Sequence, residues 1–185
     1  SSICDLHLVI RRAIAVVQNE VAHRATLVTK FGDVPLLRCV PGNAEQAIVN
    51  VLLNAAQAIP PGYAGKNTVT IETWSDEKRA WVRIADTGCG IAAANLPRVL
   101  EPFFTTKPLG EGTGLGLALV HEIMRHAGGD ISIQSEEGKG TQVTLSMLLP
   151  SRAERHMVLP SGDTPPHETR EAALATSGKA TALDE

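Results

Sequence analysis

A chain of 185 residues with 43% hydrophobic content is long enough for one buried core, and with only 3% aromatics that core has to be aliphatic. The net charge of −3 comes without a basic run, which removes the general electrostatic reason to expect nucleic acid. No stretch approaches the roughly 18–20 apolar residues of a membrane span, and no signal-peptide pattern opens the chain. Cys4, Cys39 and Cys89 are odd in number, widely spaced and without a CxxC pair, so the expectation is a cytoplasmic domain with neither a disulfide scaffold nor a zinc site.

Residues 5–22 carry Leu6, Ile10, Ala13, Ile14 and Val17 at helical spacing, and two short strand candidates follow at 26–30 and 36–40. Pro41-Gly42-Asn43 punctuates the start of a helix over 44–59, which Pro60-Pro61-Gly62 ends. Val69, Ile71 and Thr73 then share one face of a strand, and Val82 and Ile84 share another. A helical pattern runs through Leu115, Leu117, Ala118, Val120, Ile123, Met124 and Ala127. Ile131 and Ile133 alternate next, and Val143, Leu145, Met147 and Leu149 make the longest period-two run. Hairpin-length gaps at 75–79 and 136–140 predict an α/β (α+β) two-layer sandwich, a mixed and mainly antiparallel sheet packed on one face by helices. After Pro150 aromatics vanish and Pro160, Pro165 and Pro166 cluster. Residues 1–150 are expected to form the domain and 151–185 a linker or disordered tail, with a short helix near 167–175.

Three features point to chemistry. In the helix over 44–59, Gln46, Asn50, Asn54 and Gln57 fall within an arc of about 80° on an otherwise apolar surface. A solvated edge usually carries Lys, Glu or Arg, better helix formers than Asn. Neutral amides suit a polar site in which carbonyl oxygens meet a hard cation such as Mg²⁺. In AWVRIADTGCGI, alternation puts Asp86 on the face of Val82 and Ile84. A carboxylate there needs a partner, either its own Asp-x-Gly turn or a donor such as an exocyclic amino group. GEGTGLGLALV, from Gly110 to Val120, fits neither a P-loop nor a dinucleotide fingerprint. It reads either as a mobile loop or as a helix start whose free N–H groups favour phosphate.

NVLLNAAQAI, DTGCGI, EPFFTTK and GEGTGLGLALV occur in that order, followed by GDISIQSEEGKGTQVTLSMLLP. This set resembles the N box, first glycine box, F box, second glycine box and closing strand pair of the ATP-binding catalytic domain of sensor histidine kinases. That domain belongs to the Bergerat-fold superfamily with gyrases, mismatch-repair ATPases and heat-shock chaperones. The resemblance spans roughly residues 5–150 and is nearest the nitrogen-regulation type. It implies that Asn50 and Asn54 are catalytic, with Asn54 ligating Mg²⁺ and Asn50 beside the triphosphate. It also implies that Asp86 binds the adenine amino group in a pocket shaped by Gly88, Gly90, Ile91 and Thr141. Gly112, Thr113, Gly114, Leu115 and Gly116 would cradle phosphates, Gly110 and Gly112 would let a lid over 103–112 hinge, and Phe104 and the lid cation Lys107 would face the nucleotide.

Two departures qualify the likeness. Gln57 and Ala58 stand where many sensor kinases have a basic residue and a Tyr. No segment carries the acceptor pattern His-Glu-x-x-x-Pro: His121-Glu122 lacks the Pro, and Arg125 replaces the second His of a zinc HExxH. The six histidines read as structural or surface residues. The implied function is therefore Mg-ATP binding and donation of the γ-phosphate to a histidine of a dimerisation domain absent from this chain, serving a response regulator, with the isolated domain monomeric. The acceptor would lie upstream, where a membrane anchor in the parent protein stays open. Hydrolysing relatives carry Glu at the place of Asn50, so little hydrolysis is expected. An ATP-hydrolysing conformational switch and a nucleotide-binding module without transfer remain the alternatives.

Overall fold

The computed structural model describes residues 2–108, 112–151 and 154. A short strand β1, Ser2–Cys4, leads into α1, Leu6–Ala22. Asp5 starts that helix by accepting hydrogen bonds on Oδ1 from the backbone N–H groups of His7 (2.8 Å) and Leu8 (3.3 Å). β2 (Thr26–Phe31) and β3 (Leu37–Cys39) follow, then α2, Pro41–Gln57. The helix begins at Pro41 rather than at Ala44, because a proline at the first helical position has no N–H to leave unpaired and its φ is already helical. The remaining strands and α-helix among the described residues are β4 (Thr68–Ser75), β5 (Arg79–Asp86), α3 (Gly116–His126), β6 (Asp130–Glu136) and β7 (Gly140–Leu148).

The five-stranded sheet has the order β2-β4-β5-β7-β6. β2 runs parallel to β4 and every other pair is antiparallel. The three helices pack on one face of it, as the alternation requires. Val69, Ile71 and Thr73 of β4, Ala80, Val82 and Ile84 of β5, and Val143, Leu145 and Met147 of β7 are all buried. They meet Ile10, Ala13 and Val17 of α1, Ile48, Val51 and Leu52 of α2, and Val120 and Met124 of α3 in one cluster without a buried aromatic. The two tryptophans stack on each other at 5.8 Å, with the Arg83 guanidinium over Trp74.

The cysteine expectation is corrected. Cys4 and Cys39 form a disulfide across a separation of 35 residues. The three residues of β1 are too few to show a period, and their antiparallel pairing with β3 brings the two Cα atoms to 6.2 Å. Cys89 is free and exposed. The helix expected near 167–175, most of the tail, and the lid segment 109–111 with Gly110 lie outside the described residues. Among the described residues no helix is long and apolar enough to cross a membrane.

Register and loop bonds bring the chemistry-bearing residues together. Asp86, the last residue of β5, pairs with Thr141 at the start of β7. The loop after it docks on the end of α2, where the Cys89 N–H donates to the Ala58 carbonyl at 2.9 Å.

Candidate functional site

A cleft of about 900 Å³ opens where α2, the end of β5 and the start of α3 meet. Asn50, Asn54 and Gln57 line it, whereas Gln46 is exposed and stands off it, so the amide stripe is one turn shorter than its sequence pattern. The Asn50 Nδ2 is buried without a hydrogen-bond partner among the described residues. Leaving such a donor unpaired costs about 1–3 kcal/mol. Asn54 faces the first residue of α3 closely: a Cβ on Gly116 would stand 3.6 Å from Nδ2 and 3.9 Å from Oδ1.

On the sheet side, Asp86 does what both readings of its sequence allow. Its Oδ1 accepts from the Gly88 N–H at 2.8 Å, closing the turn, and its carboxylate also lines the cleft. Burial pushes its pKa up to about 6, against the downward pull of the Gly88 and Thr141 backbone amides. Gly90 and Ile91 line the same wall. Gly90 has φ +69° and lies so close to the Glu136 carbonyl that a Cβ would sit 2.1 Å from it. Ser135 was not anticipated: its Oγ accepts from the Ile91 N–H at 2.8 Å and lies 2.8 Å from Thr141 Oγ1, bracing the wall from behind. Gly88 supports this wall by packing. It is off the lining, pressed against Ala58, whose carbonyl oxygen would lie 2.5 Å from an added Cβ.

The third wall comes from the segment between β5 and α3. Phe104 lines the cleft, with the Arg98 guanidinium 4.4 Å over its ring. The Lys107 ammonium donates to Gln57 Oε1, and burial first, then the nearby Arg24, hold its pKa below the usual lysine value. Gly112, Thr113, Gly114 and Gly116 line the cleft. Leu115 does not: its side chain is exposed and its N–H is taken by Thr113 Oγ1 at 3.3 Å. Among the described residues no side chain caps the start of α3, and no acidic residue lies in its first turn. N–H groups that no described side chain caps, and the positive end of the helix dipole, therefore meet the cleft.

Sequence reasoning also missed Glu20 and Arg24, which reach the cleft from the last turn of α1 and the residues after it. Glu-x-x-x-Arg reads as a surface i,i+4 pair, and nothing local reveals what lies beside it. Among the described residues, Arg24 and Lys107 are the cations on the lining and Glu20 and Asp86 the carboxylates. Val51, Ile84, Val99, Leu117, Ile133 and Val143 supply its apolar surface.

An uncapped helix start, an amide pair opposite it and a half-buried carboxylate suit a ligand with a polyanionic end and an amino-bearing heterocycle. The sequence profile described as "Histidine kinase-, DNA gyrase B-, and HSP90-like ATPase" matches residues 40–151. The chain belongs to this ATPase family. The sensor histidine kinase ZraS of Escherichia coli K12 is 39% identical over 145 residues, covering 76% of this chain and 30% of that protein. Sporulation kinase E of Bacillus subtilis is 37% identical over 122 residues, 66% of this chain and 16% of that protein. Among solved structures, the mycobacterial sensor histidine kinase MprB superposes with a TM-score of 0.70 at 25% identity, over 81% of this chain and 98% of that one. The chain thus spans less than a third of the length of these two curated relatives. Members of this ATPase family bind ATP, and the cleft has the volume and the donor set for such a ligand.

Proposed function

We propose that this domain binds Mg-ATP in the cleft and donates the γ-phosphate to a histidine on a dimerisation domain outside the chain, within a two-component pathway that ends on a response regulator. Residues 1–150 act as a monomeric catalytic domain in the cytoplasm, the compartment that supplies ATP, and 151–185 as a tail; the Cys4–Cys39 disulfide gives that placement no support. The carrying observation is the unpartnered Asn50 amide, buried in a cleft that Asn54 shares with the uncapped start of α3.

Each wall has a task. Asp86 accepts a hydrogen bond from the adenine amino group, in a pocket shaped by Gly90, Ile91 and Thr141 and set in place by Gly88. Phosphates sit against the N–H groups of α3, with Gly112, Thr113, Gly114 and Gly116 giving close approach. Lys107 leaves Gln57 for a phosphate oxygen, and Phe104 closes over the nucleotide. Among the described residues no group of three or more His, Cys, Asp or Glu is placed to hold a metal. Beside the start of α3 the side-chain donor is the Asn54 amide oxygen, which fits Mg²⁺, a cation that keeps several waters and takes further oxygens from phosphates. Asn54 is the residue that would hold it, and once bound it would neutralise charge on the phosphate oxygens. Phosphoryl transfer needs chiefly positioning and charge neutralisation. The partner imidazole forms the new N–P bond while the bond from the γ-phosphorus to the bridging oxygen breaks and ADP leaves. Asn50 cannot take a proton from water, which keeps hydrolysis slow.

The test mixes this chain with γ-labelled Mg-ATP and candidate dimerisation domains, and follows acid-labile phosphate on the partner. Label on a partner histidine is the expected result. Tight nucleotide binding with no label on any partner favours a binding module, and fast release of phosphate to water favours a hydrolysing switch.

A further inference from the structure

The cleft takes almost no positive charge from the helices that face its phosphate end. α2 contains no Lys or Arg at all, and the first turn of α3 offers only backbone. The lining cations come from elsewhere, Lys107 from the segment before α3 and Arg24 from the turn after α1. Arg24 is held rather than loose. Its Nη1 donates to the Ile59 carbonyl, just past the end of α2, at 2.7 Å, and its Nε lies 2.9 Å from Glu20 Oε1. The turn that carries it is tied to the loop after α2 by the Gly62 N–H, which donates to the His23 carbonyl at 3.2 Å. Two of its five N–H donors are engaged this way, which fixes the guanidinium fork against the cleft with its side chain 23% exposed. Arg24, Lys107 and Gln57 line the same cleft, Lys107 rests on the neutral side chain of Gln57, and Arg24 helps hold that ammonium's pKa down.

We propose that Arg24 is a phosphate-binding residue of this cleft, supplying with Lys107 the positive charge that α2 lacks at Gln57. The inference rests on the nucleotide reading above. A rigid fork suits phosphate oxygens, which it meets with two parallel N–H bonds. Its partner Glu20 is 41% exposed and the pair holds Arg24 only weakly, so the guanidinium keeps N–H donors for a phosphate, while Lys107 rests on a neutral amide.

Calorimetric titration of adenosine, AMP, ADP and Mg-ATP into the wild-type chain, Arg24→Gln, Arg24→Lys and Arg24→Gln/Gln57→Lys tests it. The expected result is an Mg-ATP affinity about ten- to a hundredfold weaker in Arg24→Gln, an unchanged adenosine affinity, a smaller loss in Arg24→Lys and recovery in the double variant. The rung of the series at which variant and wild type part identifies the phosphate concerned. Equal affinities of Arg24→Gln and wild type for every ligand overturn the proposal, and so does an equal loss for adenosine and Mg-ATP, which would mark Arg24 as a staple for the end of α2. Failure of the wild-type chain to bind any of the four ligands overturns the nucleotide reading itself, and this inference with it.

Discussion

The Lys107 ammonium hydrogen-bonds the side-chain carbonyl of Gln57, 50 residues earlier in the chain. A lysine on a neutral amide has no opposite charge to offset its burial, so an anionic ligand competes for it at an advantage. Lys107→Gln is expected to weaken Mg-ATP binding by about tenfold and leave adenosine binding unchanged, since adenosine has no phosphate for the cation to meet. In the wild type, the side-chain amide resonances of Gln57 should shift on adding Mg-ATP and stay in place on adding adenosine. An unmoved Gln57 signal at saturating Mg-ATP would show that Lys107 keeps its amide partner.

Asp86 gives opposite pH dependences for stability and for binding. Its pKa is raised from 3.8 to about 6 by burial, so between those values the folded chain binds more protons than the unfolded chain. The contribution of this group to stability therefore falls as pH rises through the window, and above about pH 6 it is a fixed penalty. Asp86→Asn should be at least as resistant to urea as the wild type at pH 7, with the difference shrinking toward pH 4. Adenosine binding needs the ionised acceptor. Wild-type affinity should drop by roughly tenfold per unit below pH 6, whereas Asp86→Asn binds weakly at every pH. A wild-type profile flat from pH 7 to pH 4.5 would remove Asp86 from the adenine pocket.

Much of this site was legible because it rests on short-range pattern. Period-two alternation placed Asp86 on the face of Val82 and Ile84, and both are buried as that predicts. The amide stripe needed only 100° per residue to put Asn50, Asn54 and Gln57 on one side. What stayed hidden depends on contacts between distant segments. Arg24 and Glu20 look like any helix-end ion pair until the loop after α2 folds beside them. The Cys4–Cys39 bond required a three-residue strand that carries no period. Leu115 and Gly88 share their motifs with lining residues, yet backbone geometry turns one outward and sets the other behind the wall.

Asn50 should separate stability from function. Its buried Nδ2 has no partner among the described residues, so Asn50→Leu, which keeps the branching at Cγ, relieves that cost and is expected to raise stability by about 1 kcal/mol in urea unfolding. The same variant should lose phosphotransfer to a partner domain. Asn50→Glu introduces a group able to take a proton from water, and steady-state phosphate release should rise above the wild-type rate. An Asn50→Leu chain that unfolds earlier than the wild type would mean that the amide has a partner after all.

The glycines before α3 should respond differently to the same substitution. Gly114 has φ +66°, and a Cβ there would come within 2.4 Å of the Phe103 carbonyl carbon, which belongs to backbone that cannot rotate away. Phe103 is itself held at φ +68°, and its N–H donates to the Gly114 carbonyl at 2.9 Å, so the two segments brace each other. Gly114→Ala is therefore expected to cost about 2 kcal/mol or more and to lose nucleotide binding through distortion of the cleft. At Gly116 the nearest atoms are the Asn54 amide at 3.6 and 3.9 Å, an ordinary contact distance. Alanine is also the better helix former, so Gly116→Ala should unfold no earlier than the wild type. Its methyl would occupy the gap between Asn54 and the start of α3, and Mg-ATP affinity should fall while adenosine affinity persists. Thermal unfolding combined with titration of both ligands reads the two effects separately, and a Gly116→Ala chain that binds Mg-ATP as tightly as the wild type would move the phosphates away from that helix start.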